Sequence, residues 1–205
     1  MRLNLGCGDD IRDGYVNIDF RQTHPAISVM DLSIFPWPIE TGCVDEILML
    51  DFLEHFPYSQ TRSILLECHR VLRDVRSVAG IQASPGTGVT IQVPDAEILG
   101  TVLSRQGRFQ CNRCGMWMAG PLAASGWDEN CSRCGQSDSD VIDAAMKRLF
   151  GGQDFPGNFH HTCFTQDSLT RIARSCGLYF DRLEEKQHQA ANWNFKAVFF
   201  KGDVW

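Results

Sequence analysis

"LNLGCGDDIRDGYVNIDF", residues 3–20, sets two short apolar runs around a loop that begins with a glycine-flanked cysteine and ends before an acid, Asp19. Residues 3–5 and 16–18 are long enough for buried strands and too short for helices. The intervening "GCGDDIRDGY" is rich in turn-forming residues. Gly6 and Gly8 let the backbone turn sharply and leave it bare, so that a ligand can approach without meeting a Cβ. Asp19 follows the second run directly, at the tip of the strand that run predicts.

The pattern extends outward from this stretch. In "CVDEILMLDFLEH" a third apolar run, residues 44–50, ends in a tip carrying Asp51, Glu54 and His55. "SQTRSILLECHRVLR" places Ile64, Leu65, Cys68, Val71 and Leu72 on one helical face. "VTIQVPD" alternates and stops at Pro94, as a strand does. Asp95 is then placed to cap a helix whose apolar face is Ile98, Leu99, Val102 and Leu103. Strands alternating with helices predict a parallel sheet with crossover connections, an α/β fold. Later, Thr165 is the expected N-cap of a helix with Leu169, Ile172, Ala173 and Cys176 on one side and Gly177 as its stop. "LYFDRLEE" and "FKAVFFK" read as a terminal β-hairpin. Between Arg73 and Val89 lies "DVRSVAGIQASPGTG", a Gly/Ser/Pro-bearing segment read as a mobile loop.

In an open α/β sheet, ligands bind outside the carboxyl ends of the strands. Asp19 there can accept hydrogen bonds from a ribose diol, and Asp31 with Leu32 can present a carboxylate and an amide to an adenine edge. Together these describe a nucleoside site. "LNLGCG", "NIDF", "VDEILMLDFLEH", "ECHRVLR" and "VTIQVPD", in that order, resemble class I S-adenosylmethionine-dependent methyltransferases. The resemblance covers the chain apart from a cysteine-rich insertion. It is strongest to small methyltransferases that share "LNLGCG…GYVNID", "LEH" and "RVL…VPD" and are linked to polysaccharide or surface-glycan modification. It implies a Rossmann-like class I methyltransferase sheet with a terminal β-hairpin. It also implies that Leu5, Gly6, Cys7 and Gly8 line the methionine part of the cofactor, Asp19 holds the ribose and Asp31 with Leu32 faces the adenine. Asp51, Glu54 and His55 would then lie near the methyl group.

The chain departs from that pattern twice. "DDIRDGY" is too short for the usual helix after the glycine loop, and "RVLRDVRSVAGIQASPGTG" replaces a compact turn. The first departure also counts against a dinucleotide. A G-x-G-x-x-G fingerprint opens a helix, whereas here the third glycine position is Ile11. Methyl transfer to a hydroxyl benefits from a base. The candidates are His55 and the pair in "NFHHTCF", His160 and His161. No "NPPY" follows the fourth strand and no Pro-Cys nucleophile is present, which argues against DNA-base methylation.

Cys111 and Cys114, then sixteen residues, then Cys131 and Cys134 have the C-x2-C…C-x2-C spacing of a zinc site. Four thiolates close a tetrahedron with no open position, so the expected Zn2+ is structural. This gives a methyltransferase domain of residues 1–107 and 141–205 and a zinc-ribbon insertion of residues 108–140. The charges in and just before the insertion cancel: Arg105, Arg108, Arg113 and Arg133 against Asp128, Glu129, Asp138 and Asp140. Met116, Trp117, Met118 and Trp127 are either its core or a face for substrate or a second copy of the chain, a homodimer. We expect one tryptophan in the core and the other at a contact.

A formal net charge of -6 argues against a general nucleic-acid footprint, which shows as a basic face. No apolar run approaches the roughly 20 residues of a membrane span, and Met1 runs straight into the first strand. Nine cysteines without a secretory signal suit a reducing compartment, so a cytoplasmic enzyme is expected. The expected substrate is a small molecule, a sugar or a glycan end. The alternatives are a zinc-ribbon adaptor whose methyltransferase-like domain binds partners or senses the cofactor without catalysis, and an RNA methyltransferase that grips RNA with the ribbon.

Overall fold

A computed structural model describes residues 1–74, 87–104, 108–111, 113–114, 116–119, 130–155, 157–187 and 193–202. The segment 75–86, Arg105, Trp127, Asp128 and Glu129 lie outside these residues. The elements in chain order begin with β1 (Arg2–Leu5), β2 (Val16–Asp19), β3 (Ile27–Val29) and β4 (Glu46–Leu50). Next come a 3-10 turn at Leu53–His55, α1 (Tyr58–Val71), β5 (Gly88–Pro94) and α2 (Ala96–Ser104). They continue with β6 (Arg108–Gln110), β7 (Trp117–Ala119), α3 (Asp138–Phe150), α4 (Gln166–Ser175), β8 (Leu178–Gln187) and β9 (Asn194–Lys201).

Seven strands form one sheet in the order β3-β2-β1-β4-β5-β9-β8, while β6 and β7 pair separately. The first five sheet strands are parallel, and β9 runs antiparallel between β5 and β8. The terminal hairpin is therefore present, and its second strand is the one that joins the parallel sheet. Register fixes which residues share an edge. Leu5 lies opposite Ile18 and Met49, Leu50 opposite Gln92, and Pro94 opposite Asn194. Gly6, Asp19, Asp51, Asp95 and Asn194 consequently gather at one end of the sheet.

Burial explains the arrangement. Leu3, Leu5, Ile47, Met49, Val89, Ile91 and Val93 are at most 1% exposed, as expected of strands covered on both faces. Ile64, Leu65, Cys68 and Val71 of α1 press their shared face into the same core. Each such aliphatic side chain contributes about 1.5–3 kcal/mol on burial. Thr165 caps α4 reciprocally with Ser168: the Ser168 amide donates to Thr165 Oγ1 at 3.1 Å, and the Thr165 amide to Ser168 Oγ at 2.9 Å. Gly177 leaves the helix at φ +78°, the left-handed conformation a helix stop requires.

No helix links β1 to β2. Two buried asparagines organise the loop instead. Asn17 Oδ1 accepts from Asn4 Nδ2 at 3.0 Å and from the Arg12 amide at 3.0 Å, while Asn4 Nδ2 also donates to the Asp10 carbonyl at 2.7 Å. The side chains supply what a helix's own hydrogen bonds would have supplied.

A second, smaller core lies beyond β5. Leu99 and Val102 of α2, Val141 and Ala145 of α3, and Trp193 surround Met118, Cys111 and Cys131. Met118 is buried and Met116 exposed. Among the described residues, the cysteine region shares its apolar centre with two helices. α3, which sequence reasoning passes over, carries Val141, Ala145 and Leu149 at helical spacing, and its first turn straddles the boundary drawn at residue 140. No helix among the described residues is long and apolar enough to cross a membrane.

Candidate functional site

A cavity of about 500 Å³ opens at the carboxyl ends of β1, β2 and β4. That size lies within the ordinary range for small-molecule sites. Gly6, Gly8, Asp19, Asp31 and Leu32 lie on its wall, with Asp51 and His55 on the side of β4. These residues belong to four different stretches of chain, and the strand register brings them together.

The glycines do different work. Both take positive φ, +64° at Gly6 and +49° at Gly8. A Cβ at Gly6 would run into the ring of Phe52, whereas one at Gly8 would meet nothing within 4 Å. Gly6 is therefore required by packing, and Gly8 leaves the backbone open to the cavity. Asp19 is nearly buried, at 6% exposure. Its Oδ2 accepts from the Gly8 amide at 2.9 Å and its Oδ1 from the Arg21 amide at 2.9 Å. The carboxylate thereby closes the loop, and each oxygen has further lone-pair capacity for a ligand. Asp31 accepts from the Ser33 hydroxyl at 2.6 Å and the Ser33 amide at 2.9 Å, which hold its carboxyl below the ordinary value. Leu32 is buried beside it. The carboxylates of Asp19, Asp31 and Asp51 share this wall with the rings of Phe20, Phe52 and Phe56.

Leu5 and Cys7 stand behind this wall. Leu5 belongs to the core, and Cys7 is 5% exposed with its thiol pushed up to about 11, chiefly by burial and then by Asp19. A thiol held protonated is a packing group and a poor nucleophile.

The tip of β4 is the most strained part of the site. Asp51 sits at φ +53°, uncommon for any residue with a Cβ. Its backbone is held by the bond from its amide to the Gln92 carbonyl at 3.0 Å. Its carboxylate accepts from Asn194 Nδ2 at 2.8 Å, from Gln92 Nε2 at 3.2 Å and from Arg148 at 3.2 Å and 3.3 Å. Arg148 also donates to Asn194 Oδ1 at 2.9 Å. Sequence reasoning missed Arg148, Gln92 and Asn194. No local signal announces them, because each comes from a different element.

Behind Asp51, Glu54 is completely buried, and neither carboxylate oxygen has a hydrogen-bond partner among the described residues. Burial, then the charge of Asp51, push its carboxyl up to about 8. The 3-10 turn that carries Glu54 also carries His55, whose Nδ1 lies 3.1 Å from the Phe159 carbonyl. His160 joins from the far side: its ring meets that of His55 at 4.7 Å between centroids, and its Nδ1 lies 2.9 Å from the Arg148 carbonyl. A carbonyl only accepts, so in both rings Nδ1 carries the proton and Nε2 the lone pair. Burial, then His55, press His160 down to about 4, and burial lowers His55 also. Both rings are neutral near pH 7. His161 points elsewhere. It is exposed and attached through its amide to the Glu54 carbonyl at 2.8 Å. The sequence pair "HH" thus divides, one ring joining the site and one facing solvent.

Arg21, whose guanidinium lies over the rings of Phe20 and Phe155, forms part of the outer cavity wall with Gly157 and Asn158. These groups also escaped the sequence reading.

About the second core, the sulfurs of Cys111, Cys114, Cys131 and Cys134 lie within 4.8 Å of one another. Cys111 to Cys134 is 3.6 Å and Cys114 to Cys131 is 3.5 Å. A disulfide would need about 2.05 Å. A tetrahedral zinc with Zn–S bonds of about 2.3 Å has an S–S edge of about 3.8 Å, close to the separations here. The amides help: Cys131 donates to the Gln136 carbonyl at 2.8 Å, Gly135 to the Cys131 carbonyl at 2.8 Å, and Gly135 turns at φ +71°.

No protein-family model matches the chain, and no curated protein matches it in sequence. Its three-dimensional structure is similar to the 1,6-didemethyltoxoflavin-N1-methyltransferase of Burkholderia thailandensis, solved with 1,6-didemethyltoxoflavin and S-adenosylhomocysteine. That match has a TM-score of 0.54 at 12% identity, over 98% of this chain and 71% of the other. It is also similar to a SAM-dependent methyltransferase of Methanosarcina mazei, with TM-score 0.51 and 14% identity over 98% and 92% of the two chains. A SAM-dependent methyltransferase of Archaeoglobus fulgidus gives 0.52 and 10% over 98% and 85%. At such identities the likeness establishes the fold.

Proposed function

We propose that this chain is an S-adenosylmethionine-dependent methyltransferase that acts on a small molecule, a sugar or a glycan end and carries a structural zinc. The observation that carries the reading is the placement of Asp19, Gly8 and Asp31 on one cavity at the strand tips of this sheet order. Asp19 receives the ribose diol, Asp31 and Leu32 border the adenine, and the open backbone at Gly8 borders the methionine portion. The bound cofactor supplies an electrophilic methyl on a cationic sulfur. The chain's part is to align the acceptor with it and to exclude water, and alignment alone can lower a barrier by about 7–11 kcal/mol in favourable cases.

The acceptor side is the tip of β4. His55, on the cavity wall, and His160 behind it are neutral with lone pairs on Nε2, the state required to take a proton from a hydroxyl or to hold a ligand. Asp51 is clamped by Arg148, Asn194 and Gln92, so the geometry of this tip is fixed from three elements.

The four thiolates hold Zn2+ with no open position, which makes it structural. Its place along the chain suggests how it serves the site. Cys131 and Cys134 immediately precede α3, and α3 delivers Arg148 to Asp51 while the Arg148 carbonyl accepts a hydrogen bond from His160 Nδ1–H. Fixing the knuckle fixes the start of that helix.

Calorimetric titration of the zinc-loaded protein with S-adenosylmethionine, with NAD as the control, tests the reading. Micromolar binding that Asp19→Ala removes is expected. No binding at millimolar cofactor would return the chain to the adaptor reading.

A further inference from the structure

One buried group has no role in the mechanism above. Glu54 is 0% exposed and neither oxygen has a partner among the described residues. A buried carboxyl without a hydrogen-bond partner is costly, and such a group in a folded protein calls for an explanation, of which a bound ion is one. The ligand atoms of Glu54, His55 and His160 lie within 4.8 Å of one another. Each imidazole commits Nδ1–H to a backbone carbonyl, of Phe159 for His55 and of Arg148 for His160. That arrangement fixes the tautomer and aims a metal-binding histidine, and it is how metal sites hold their imidazoles.

We propose that Glu54, His55 and His160 form a binding site for a divalent first-row transition-metal cation, separate from the cysteine cluster. Two imidazoles and one carboxylate favour such an ion over Mg2+, which prefers oxygen ligands and retains water. Asp51 supplies a second negative charge at the site, and Asp51 and His55 are its members that reach the cavity wall. Water or an acceptor oxygen therefore reaches the ion from the cavity, through the positions the three side chains leave open. On the methyltransferase reading, this assigns the acceptor an oxygen donor held beside the methyl group, and it makes His55 and His160 ligands rather than bases. The cation site itself does not depend on that reading.

The same strained tip explains why a preformed cluster persists. Asp51 at φ +53° and the Arg148 clamp fix where the 3-10 turn begins, while the His161 amide donates to the Glu54 carbonyl at 2.8 Å. The two histidines are 105 positions apart in sequence and are brought together only by these contacts.

Mn2+ is the probe. The full chain, with its cysteine cluster loaded with zinc, is titrated with Mn2+ in the absence of S-adenosylmethionine, following loss of the free-ion electron paramagnetic resonance signal. One Mn2+ per chain is expected. Glu54→Gln, which preserves shape, and His160→Gln should each weaken binding by at least about 10–100-fold, the cost of losing even an outer-shell partner. Absence of binding at millimolar Mn2+, or binding unchanged in both variants, overturns the proposal. Because no methyl donor is present, this result is independent of whether the cavity binds S-adenosylmethionine.

Discussion

The sheet and the cysteine region are held together by different means. The sheet core gathers residues from eight elements and buries aliphatic side chains on both faces of β1, β4 and β5. The cysteine region offers Met118 and two of its own thiols to a small core otherwise made by α2, α3 and Trp193. In the first region, apolar area removed from water supplies the stability. In the second, the described residues offer less such area, and on the proposed zinc reading four thiolates around a metal would make up for it.

That contrast is broken most directly by removing thiols. Zinc binding in isolated finger peptides is worth about 10–16 kcal/mol. Cys111→Ser with Cys131→Ser should abolish hydrogen-exchange protection in β6 and β7 while β4 and β5 keep theirs. Parallel loss in all four strands would show one cooperative unit where we expect two. The converse substitution, Leu65→Ala in α1, creates a void in the sheet core and should cost about 2–5 kcal/mol. It should lower the denaturant midpoint of the whole chain and leave the stoichiometry of zinc unchanged.

Arg148 tests the join between the regions. Arg148→Met keeps the aliphatic stem and removes the clamp on Asp51. Methyl transfer should slow on the order of 10- to 100-fold through misplacement of the β4 tip. Affinity for S-adenosylmethionine, which the proposed function assigns to Asp19, should change little, so separate kcat and binding measurements distinguish a positioning role from general damage. The smallest effect is expected at the α4 cap, where Thr165→Ala removes one side-chain bond and should cost about 1 kcal/mol. A thermal scan of the zinc-loaded protein resolves it.

Legibility in the sequence followed the same division. Periodicity identified the buried face of α1 and the strands β1, β2, β4 and β5, since each pattern is local and its burial is dictated by a sheet covered on both sides. Thr165 and Gly177 were readable because capping chemistry acts within a few residues. The thiol cluster was readable from spacing, for a knuckle brings its two sulfurs together locally. α3 was overlooked although Val141, Ala145 and Leu149 recur at helical intervals, because its signal is short and abuts the cysteine loop. At the site, Asp19, Asp31 and His55 could be named, while the separate fates of His160 and His161 could not.

The sequence by itself determined the alternation of strands and helices, the turn at Gly6 and Gly8, the acid at the end of β2 and the four-cysteine spacing. Each depends on residues within about one element length. Tertiary structure alone decided that Gly6 yields its space to Phe52 while Gly8 faces the cavity. It also decided that Asp51 is gripped by Arg148 and Asn194, and that Glu54 is buried beside two imidazoles with no side-chain hydrogen-bond partner among the described residues. The reason is physical. Hydrogen bonds and ligand sets of this kind join side chains from elements distant in sequence, and only the sheet register and the packing of α3 set the distances between them.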